Sequence, residues 1–409
     1  MSAPAALTLE QGMSHLGCVV GEENVRLRRE ANQTIVAAPG DAPQIAEVLR
    51  FANANALTVM PSGGQTKLGW GNPVFPDIEL SLIRLNALRE HAWQDMTCTV
   101  QAGCTWAAMQ DQLRRHGQMV ALDPLWPGRA TVGGIVACND SGALRLKYGG
   151  LRDLIIGMTI VLADGTVART GGKVVKNVAG YDLHKLMTGA FGTLGVITSV
   201  NFRLHSIPQS TQSFTFSAAT AEPLGAWLLK LLHQQLSTLS MQLRGTAEGF
   251  HLDIQLASLP EVLHTQADLL ESLGRVEGLA MESAPAAVWD ARQQQFAHFH
   301  FNDFVCKATM LPSEIASFAE RVRSLGGESV TQATGIMTAG FPAAVFEHLP
   351  QLRRELEAAG GSLMVLKQPA ERKLDCWGTL PDGLPLMREI KRRFDPEGVL
   401  NPGRFLGGI

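Results

Sequence analysis

Residues 61–69, of sequence PSGGQTKLG, constrain the fold of this chain more than any other segment. They follow a short apolar stretch that is predicted to be a strand at 57–60, and they turn on two glycines into small polar residues. Successive residues without bulky side chains let backbone N–H groups converge on one point, and such a nest binds phosphate oxygens. The run therefore predicts a phosphate-binding turn between a strand and the next element.

Two later segments have the same character. The first is Asp123-Pro124 followed by residues 130–142, in which Gly133-Gly134 is predicted to begin a short helix with free N–H groups. The second is residues 180–183 followed by residues 189–198, a glycine-rich turn feeding a strand whose edge can meet a nucleotide ring. Taken singly, each is typical of a tight turn in a packed core. Their occurrence together and in this order favours one extended ligand, a flavin dinucleotide.

Other nucleotide-binding and charged-partner classes are disfavoured. The sequence has no G-x-G-x-x-G after a predicted strand and no G-x-x-x-x-G-K-[ST], so neither a Rossmann site nor a P-loop is indicated. A net charge of −3 with a pI near 6.4 argues against a nucleic-acid surface. The six cysteines form no C-x-x-C pair, which argues against an iron–sulfur cluster and favours reduced thiols. No signal peptide and no transmembrane segment are predicted.

The first half of the chain alternates short β-rich runs with helical segments. Strands are predicted at 34–37 and 98–102, and helices at 42–53, with Asp41 as N-cap, and at 106–116. Asp164-Gly165 between two β-rich runs predicts a hairpin.

The second half has the pattern of a duplicated unit. Segments 211–295 and 303–369 each indicate strand, helix, two strands and helix, with helices predicted at 222–235, 260–273, 312–325 and 346–359. Two such units form an antiparallel sheet with helices on one face. The predicted fold class is α+β, with a first domain at 1–208, a second domain at 209–384, and a C-terminal segment at 385–409 that returns to the first.

Several of these segments resemble the flavoproteins of the vanillyl-alcohol oxidase and p-cresol methylhydroxylase type. The similar stretches are 61–68, 123–142, Tyr148-Gly149, 177–197 and the Leu400-Asn401-Pro402-Gly403 tail. The stretch 173–182 is most similar to the smaller FAD-binding subunit of bacterial glycolate oxidase. The resemblance implies a two-part FAD-binding domain, non-covalent FAD and an α+β cap domain over the flavin ring.

By motif position the resemblance also implies the residues that bind FAD. They come from the three glycine-bearing segments and from the C-terminal tail: Pro61, Ser62, Gly63, Gly64, Gln65, Thr66, Leu68, Pro124, Thr131, Gly133, Gly134, Ala137, Ser141, Gly142, Gly192, Thr193, Gly195, Val196, Ile197 and Asn401. Ser62 lies where many relatives carry an arginine; Lys67 in the same loop is a candidate to replace that phosphate contact, but it is expected to be a solvated lysine.

The predicted cap departs from catalytic relatives. They carry H-G-x-G-D-G-N-x-H, a metal motif that this chain lacks, so no metal site and no catalytic residue are assigned. His298 and His300 alternate as on a strand and are read as cap histidines at a strand edge rather than as a metal-binding or proton-abstracting pair. Arg292 and Lys307 are candidates for holding a carboxylate or for pairing across the cap, with ordinary surface salt bridges as the competing interpretation.

The resemblance implies an FAD-binding subunit of a hetero-oligomeric dehydrogenase that converts glycolate, or another small 2-hydroxy acid, to the 2-oxo acid. Its partners would be a catalytic FAD subunit and an iron–sulfur subunit. The alternatives are a stand-alone D-lactate-type dehydrogenase and a non-catalytic assembly subunit. The expected location is the cytoplasm, or the inner-membrane surface through the partner subunits.

Overall fold

The computed structural model describes residues 7–29, 33–173, 180–299, 303–371 and 374–409. Two sequence features that carried predictions lie outside the described residues. They are His300 and positions 174–179, including Asn177, of the stretch that resembles the glycolate oxidase subunit.

The first part of the chain contains short helices and three small sheets. The helices are α1 (Leu9–Val20), α2 (Ala42–Ala54), α3 (Trp106–Arg114), α4 (Val132–Cys138), α5 (Arg145–Tyr148), α6 (Leu151–Leu154) and α7 (Leu183–Met187). The strands are β1 (Val25–Arg29), β2 (Gln33–Ala37), β3 (Val59–Ser62), β4 (Ile78–Ser81), β5 (Leu88–Ala92), β6 (Thr97–Gln101), β7 (Gln118–Met119), β8 (Ile155–Val161), β9 (Val167–Gly171), β10 (Val196–Arg203) and β11 (His205–Ser206). The strand orders are β1-β2-β4-β3, β5-β6-β10-β8-β9 and β11-β7.

Local sequence signals explain several of these elements. Helix α2 begins after Asp41, whose Oδ1 accepts a hydrogen bond from the Gln44 N–H at 2.9 Å, and Pro43 lies in its first turn. Strands β8 and β9 form the predicted hairpin, in which Gly165 adopts a φ of +82°. The predicted Asp41 cap and the Asp164-Gly165 hairpin are confirmed.

The second part of the chain is the duplicated unit that its pattern predicts. Its strands are β12 (Ser210–Ala218), β13 (Thr238–Gly245), β14 (Phe250–Ser258), β15 (Met281–Ser283), β16 (Phe304–Thr309), β17 (Glu328–Gln332), β18 (Ile336–Phe341) and β19 (Ser362–Lys367). Its helices are α8 (Ala221–Leu231), α9 (Pro260–Val276), α10 (Ala291–His298), α11 (Ile315–Ser324) and α12 (Leu349–Ala358). All described pairs in this sheet are antiparallel, in the order β15-β12-β14-β13-β17-β18-β16-β19.

The two faces of this large sheet differ in chemistry. Met241 and Leu243 on β13 belong to the apolar core that the helices cover. Their neighbour Gln242 points to the opposite face, as period-two alternation requires. That face meets the first part of the chain, because Gln332 Nε2 donates to the Ser141 carbonyl at 3.0 Å. The sheet therefore presents a polar surface to the glycine-bearing loops.

The C-terminal segment joins the first sheet system. After α13 (Leu384–Phe394), Leu400 forms a parallel bridge with Val59, and the Asn401 N–H donates to the Val59 carbonyl at 3.0 Å. The final residues thus lie beside the loop that follows β3. Among the helices in the described ranges, none is long and apolar enough to cross a bilayer.

Candidate functional site

The three glycine-bearing segments meet around one cleft, with an empty volume of about 710 Å³ that includes its mouth. Fourteen of the predicted residues line it: Pro61, Ser62, Gly63, Gly64, Gln65, Thr66, Leu68, Thr131, Gly133, Gly134, Ala137, Gly192, Gly195 and Ile197. Six further lining residues were not predicted to bind FAD: Lys67, Leu82, Ala102, Cys138, Phe191 and Arg404.

The other six predicted residues lie beside the cleft. Pro124 and Gly142 line a second, more polar cavity between the glycine loops and the large sheet. Val196 is buried in the core, and Thr193 Oγ1 donates to the Ala190 carbonyl at 2.7 Å. The Ser141 carbonyl accepts hydrogen bonds from the large-sheet part of the chain.

Asn401 lies against the third glycine segment. Its Nδ2 donates to the Phe191 carbonyl at 2.8 Å, whereas its buried Oδ1 has no hydrogen-bond partner among the described residues. An unpaired buried acceptor is costly, so its presence beside the cleft fits a ligand that donates a hydrogen bond there.

Glycine is required in the first loop by the close approach of two backbones. A Cβ at Gly64 would lie 1.8 Å from the Arg129 carbonyl oxygen, and one at Gly63 would lie 2.2 Å from Thr131 Oγ1. Gly134 differs, because a Cβ there would meet Thr131 Oγ1 at 3.4 Å, an ordinary contact. The cleft wall at Gly134 is therefore open, and a ligand can approach its backbone, as an extended dinucleotide requires.

Lys67 is buried, and the expectation of a solvated lysine is wrong. Its side chain is 4% exposed, and its Nζ lies 3.2 Å from Asp140 Oδ2. The same Nζ lies 5.5 Å from the ring centre of Trp70 and 5.2 Å from that of Trp126. A buried ion pair and two cation–π contacts hold this charge inside the protein.

Asp140 joins the cleft to the large-sheet part of the chain. Its Oδ1 accepts from Arg292 Nη1 at 3.0 Å, and its Oδ2 accepts from the Leu125 N–H at 2.9 Å. Burial acts to raise the pKa of Asp140, but the charges of Arg292 and Lys67 outweigh it, so the pKa is lowered. Asp140 is consequently ionised and shared by two cations.

Arg292, on α10, is 12% exposed in its side chain and forms no ordinary surface salt bridge. Besides Asp140, it donates to the Ser141 carbonyl at 2.7 Å and to the Asp123 carbonyl at 3.1 Å. The surface interpretation is wrong because α10 packs Arg292 against the loops before and after α4. Those contacts fasten the second part of the chain to the first.

The Asp123 side chain fastens the loop that follows α4. Its Oδ2 accepts from the Ala143 N–H at 2.7 Å, and its Oδ1 accepts from the Leu144 N–H at 3.2 Å. Burial raises the pKa of Asp123 to about 6, against the opposing charge of Arg292.

Lys307 lies on the polar face of the large sheet. Its Nζ is 3.5 Å from the Asn139 carbonyl oxygen, and no carboxylate of the described residues lies within ion-pair distance of it. Burial lowers the pKa of Lys307, and the charge of Asp140 acts in the opposite direction.

The placement of His298 corrects the strand prediction. It is the last residue of α10, and its Nδ1 lies 3.2 Å from Glu328 Oε2. The alternation of histidine and phenylalanine that suggested a strand falls where the helix ends.

Aromatic side chains close the space between the cleft and the large sheet. Trp126 and Phe296 meet edge to face at 4.8 Å, and Trp377 and Phe405 do so at 4.7 Å, measured between ring centres. Phe191, which lines the cleft, lies 5.0 Å from Trp377. These rings belong to one apolar cluster beside the cleft.

Of the residues missed by sequence reasoning, three had a nearby signal. Cys138 lies inside the second glycine segment, Phe191 lies inside the third, and Arg404 directly follows the Asn401-Pro402-Gly403 turn. None of the three is a glycine, whereas the pattern of a phosphate-binding nest consists of small residues that expose the backbone. Ala102 lines the cleft from a segment predicted only as a strand.

Comparisons with known proteins agree with this geometry. Residues 34–171 match the family described as FAD binding domain, and residues 379–405 match the FAD linked oxidases, C-terminal domain. The chain is 27% identical to D-lactate dehydrogenase of Archaeoglobus fulgidus, over 92% of each chain. It is 24% identical to glycolate oxidase subunit GlcD of Bacillus subtilis, over 96% of this chain and 93% of that one.

The fold matches that of p-cresol methylhydroxylase with substrate bound. The TM-score is 0.77 at 16% identity, and 98% of each chain is covered. This likeness confirms the predicted fold class, and the two family matches establish FAD as the cofactor.

Proposed function

We propose that this FAD-dependent oxidoreductase, which carries a FAD-binding domain of the p-cresol methylhydroxylase type, is a subunit of a hetero-oligomeric glycolate dehydrogenase. It would convert glycolate or another small 2-hydroxy acid to the 2-oxo acid, together with a catalytic FAD subunit and an iron–sulfur subunit. The similarity to GlcD over nearly the whole of both chains supports this proposal.

The surplus of positive charge between the cleft and the large sheet carries the proposal. Lys67 and Arg292 share the carboxylate of Asp140, and half-buried Lys307 has no carboxylate partner among the described residues. An ammonium group that is partly removed from water and lacks a carboxylate partner favours the binding of an anion. We refer to the region where Lys67, Asp140, Arg292 and Lys307 meet as the junction. A substrate carboxylate bound at the junction would supply the missing negative charge.

The residues of this chain divide the work of such a reaction. FAD, when bound, supplies the redox centre, which in the hetero-oligomer would accept or relay electrons beside the catalytic FAD subunit and in a stand-alone enzyme would accept a hydride from the substrate Cα. Gly63, Gly64 and Gly134 form the wall along which the cofactor lies, and Lys307 orients the substrate carboxylate. The aromatic cluster would give the bound cofactor an apolar neighbour beside the cleft.

A stand-alone 2-hydroxy-acid dehydrogenase is the second candidate. It is favoured by the alignment with a D-lactate dehydrogenase, which leaves only small parts of either chain unmatched. In that case the junction at Lys307 would hold the substrate without help from another subunit.

Anaerobic mixing with glycolate or D-lactate separates the two candidates. The purified chain, loaded with FAD, is followed at the flavin absorption bands alone and after addition of its copurified partners. Bleaching that requires the partners supports the subunit, and bleaching of the isolated chain supports the stand-alone enzyme. Full activity of a complex that contains an FAD-free variant of this chain would reject both and leave an assembly role.

Substitution of Lys307 tests whether this side chain holds the substrate carboxylate. Lys307→Met should raise KM for the 2-hydroxy acid by about tenfold to hundredfold, because it removes a charge-assisted contact, while FAD binding is retained. An unchanged KM would show that the substrate carboxylate is held elsewhere.

A further inference from the structure

Arg404 lines the cleft and is buried, with 4% of its surface exposed. Its Nη2 lies 3.1 Å from the Leu68 carbonyl oxygen, and 3.3 and 3.4 Å from those of Lys67 and Trp70. These acceptors are neutral. The Nε of Arg404 has no hydrogen-bond partner among the described residues.

Three other cations of this region have acidic partners, whereas half-buried Lys307 has none among the described residues. Lys67 and Arg292 pair with Asp140, and Lys391 pairs with Asp395 at 2.5 Å. For Arg404, no carboxylate of the described residues lies within ion-pair distance. A guanidinium stays protonated in proteins, so its full charge is buried without an opposite charge.

We propose that Arg404 compensates negative charge on the bound FAD, with its free Nε–H aimed at an anionic group of the cofactor. The unpaired Nε, the neutral acceptors and the position in the cleft wall together point to an anionic ligand. FAD offers two such groups, the pyrophosphate in every redox state and the flavin ring after reduction. The inference does not depend on which substrate the chain oxidises.

A matched pair of variants tests the assignment. Arg404→Gln removes the charge but keeps an amide that can donate to the Leu68 carbonyl. Arg388→Gln is the control, because exposed Arg388 also donates to a backbone carbonyl, that of Gly407, in the same C-terminal segment. For each variant the dissociation constant of oxidised FAD is measured on the apo-protein, and the midpoint potential is measured on the loaded protein by dye equilibration.

The expected result depends on whether Arg404 faces the pyrophosphate or the reduced flavin ring. If the pyrophosphate is the partner, Arg404→Gln weakens FAD binding about tenfold to hundredfold and leaves the potential unchanged. If the reduced ring is the partner, binding of oxidised FAD is retained. The potential then falls by about 30 mV for each tenfold loss of preference for reduced FAD. Either result supports a charge-compensating role.

A purely structural role predicts the opposite pattern. Arg404→Gln would then lower the melting temperature of the apo-protein and of the loaded protein equally, with binding and potential as in the wild type. That result would overturn the proposal. Arg404→Lys, which keeps the charge, provides the second test if the glutamine variant fails to fold. It should retain most of the binding and potential, and a loss as large as that expected for glutamine would also overturn the proposal.

Discussion

The cleft and the adjoining junction lie side by side but are built from different kinds of residues. The cleft wall is made of glycines and backbone, and Gly64 lies so close to the Arg129 carbonyl that no side chain fits between them. The junction is made of long charged side chains, with Lys67, Asp140 and Arg292 joined in one buried chain of ion pairs. The cleft has room for a ligand because side chains are absent, whereas the junction joins two parts of the protein through ion pairs.

This difference determines which property of the protein a substitution in each region should change first. A side chain added to the cleft blocks the ligand, whereas a charge removed from the junction leaves its partner buried and unpaired. Damage to the cleft should therefore appear first in FAD binding. Damage to the junction should appear first in the free energy of unfolding.

Asp140→Asn should give the largest effect. The variant leaves Lys67 and Arg292 buried without a carboxylate, which costs roughly 3–5 kcal/mol of unfolding free energy. Denaturant titration measures this loss. Asp111→Asn, which breaks the exposed pair with Arg114, is the control and should cost less than about 1 kcal/mol.

A double-mutant cycle sharpens that prediction. Because Lys67 and Asp140 are in contact, Lys67→Met combined with Asp140→Asn should cost less than the sum of the two single changes. Additive losses would show that the ion pair does not hold the junction together.

Gly134→Asp should give the next largest effect, and it should affect FAD binding. The Gly134 Cβ position has room, so the backbone stays in place and a carboxylate enters the cleft near an anionic cofactor. Like charges placed together cost several kcal/mol, so FAD affinity should fall at least about a hundredfold. Flavin absorbance of the purified protein measures the occupancy.

Gly134→Ala is the control for that variant and should keep the flavin. Gly64→Val is a poorer test, because the new side chain would collide with the Arg129 backbone and disturb the loops themselves. A Gly134→Asp protein with a full flavin spectrum contradicts the placement of FAD in this cleft.

Asp123→Asn should give the smallest effect, and it depends on pH. The folded pKa of about 6 lies above the unfolded value of about 3.9, so the folded state binds the proton more tightly. The ionised carboxylate therefore costs stability, and this cost grows as pH rises from about 4 to about 6. The variant should gain roughly 2 kcal/mol relative to wild type over that interval.

Thermal unfolding at pH 4 and pH 7 tests this prediction. The opposite result would be a wild type that becomes more stable than Asp123→Asn as the pH rises. It would mean that the Ala143 and Leu144 N–H groups, not burial, dominate the environment of the carboxylate.

The parts of the structure that rest on local pattern could be predicted from the sequence. Asp41 caps α2 through a residue three positions away, and Asp164-Gly165 sets its hairpin within a few residues. The duplicated strand-helix order appears because each unit repeats the same alternation of period two and period 3.6. The glycine-bearing segments were found because a close backbone approach demands the smallest residue.

The parts that rest on distant pairs could not be predicted. Nothing local distinguishes Lys67 from a solvated lysine, since its partner Asp140 lies in another loop and the rings that flank it belong to Trp70 and Trp126. Arg404 was not predicted for the same reason, and Arg292 was predicted only as a candidate, because its partner Asp140 could not be identified from the sequence. His298 was misassigned because alternation over four residues also occurs at the end of a helix. The predicted FAD contacts and the boundaries at 208 and 384 stay predictions.

The bridge between Leu400 and Val59 has a consequence for biosynthesis. A ribosome that makes this protein releases the glycine loops early and Leu400, the bridge partner of Val59, only after the large sheet has been synthesised. We therefore expect the cofactor cleft to be completed, and FAD to be captured, only after the large sheet has left the ribosome.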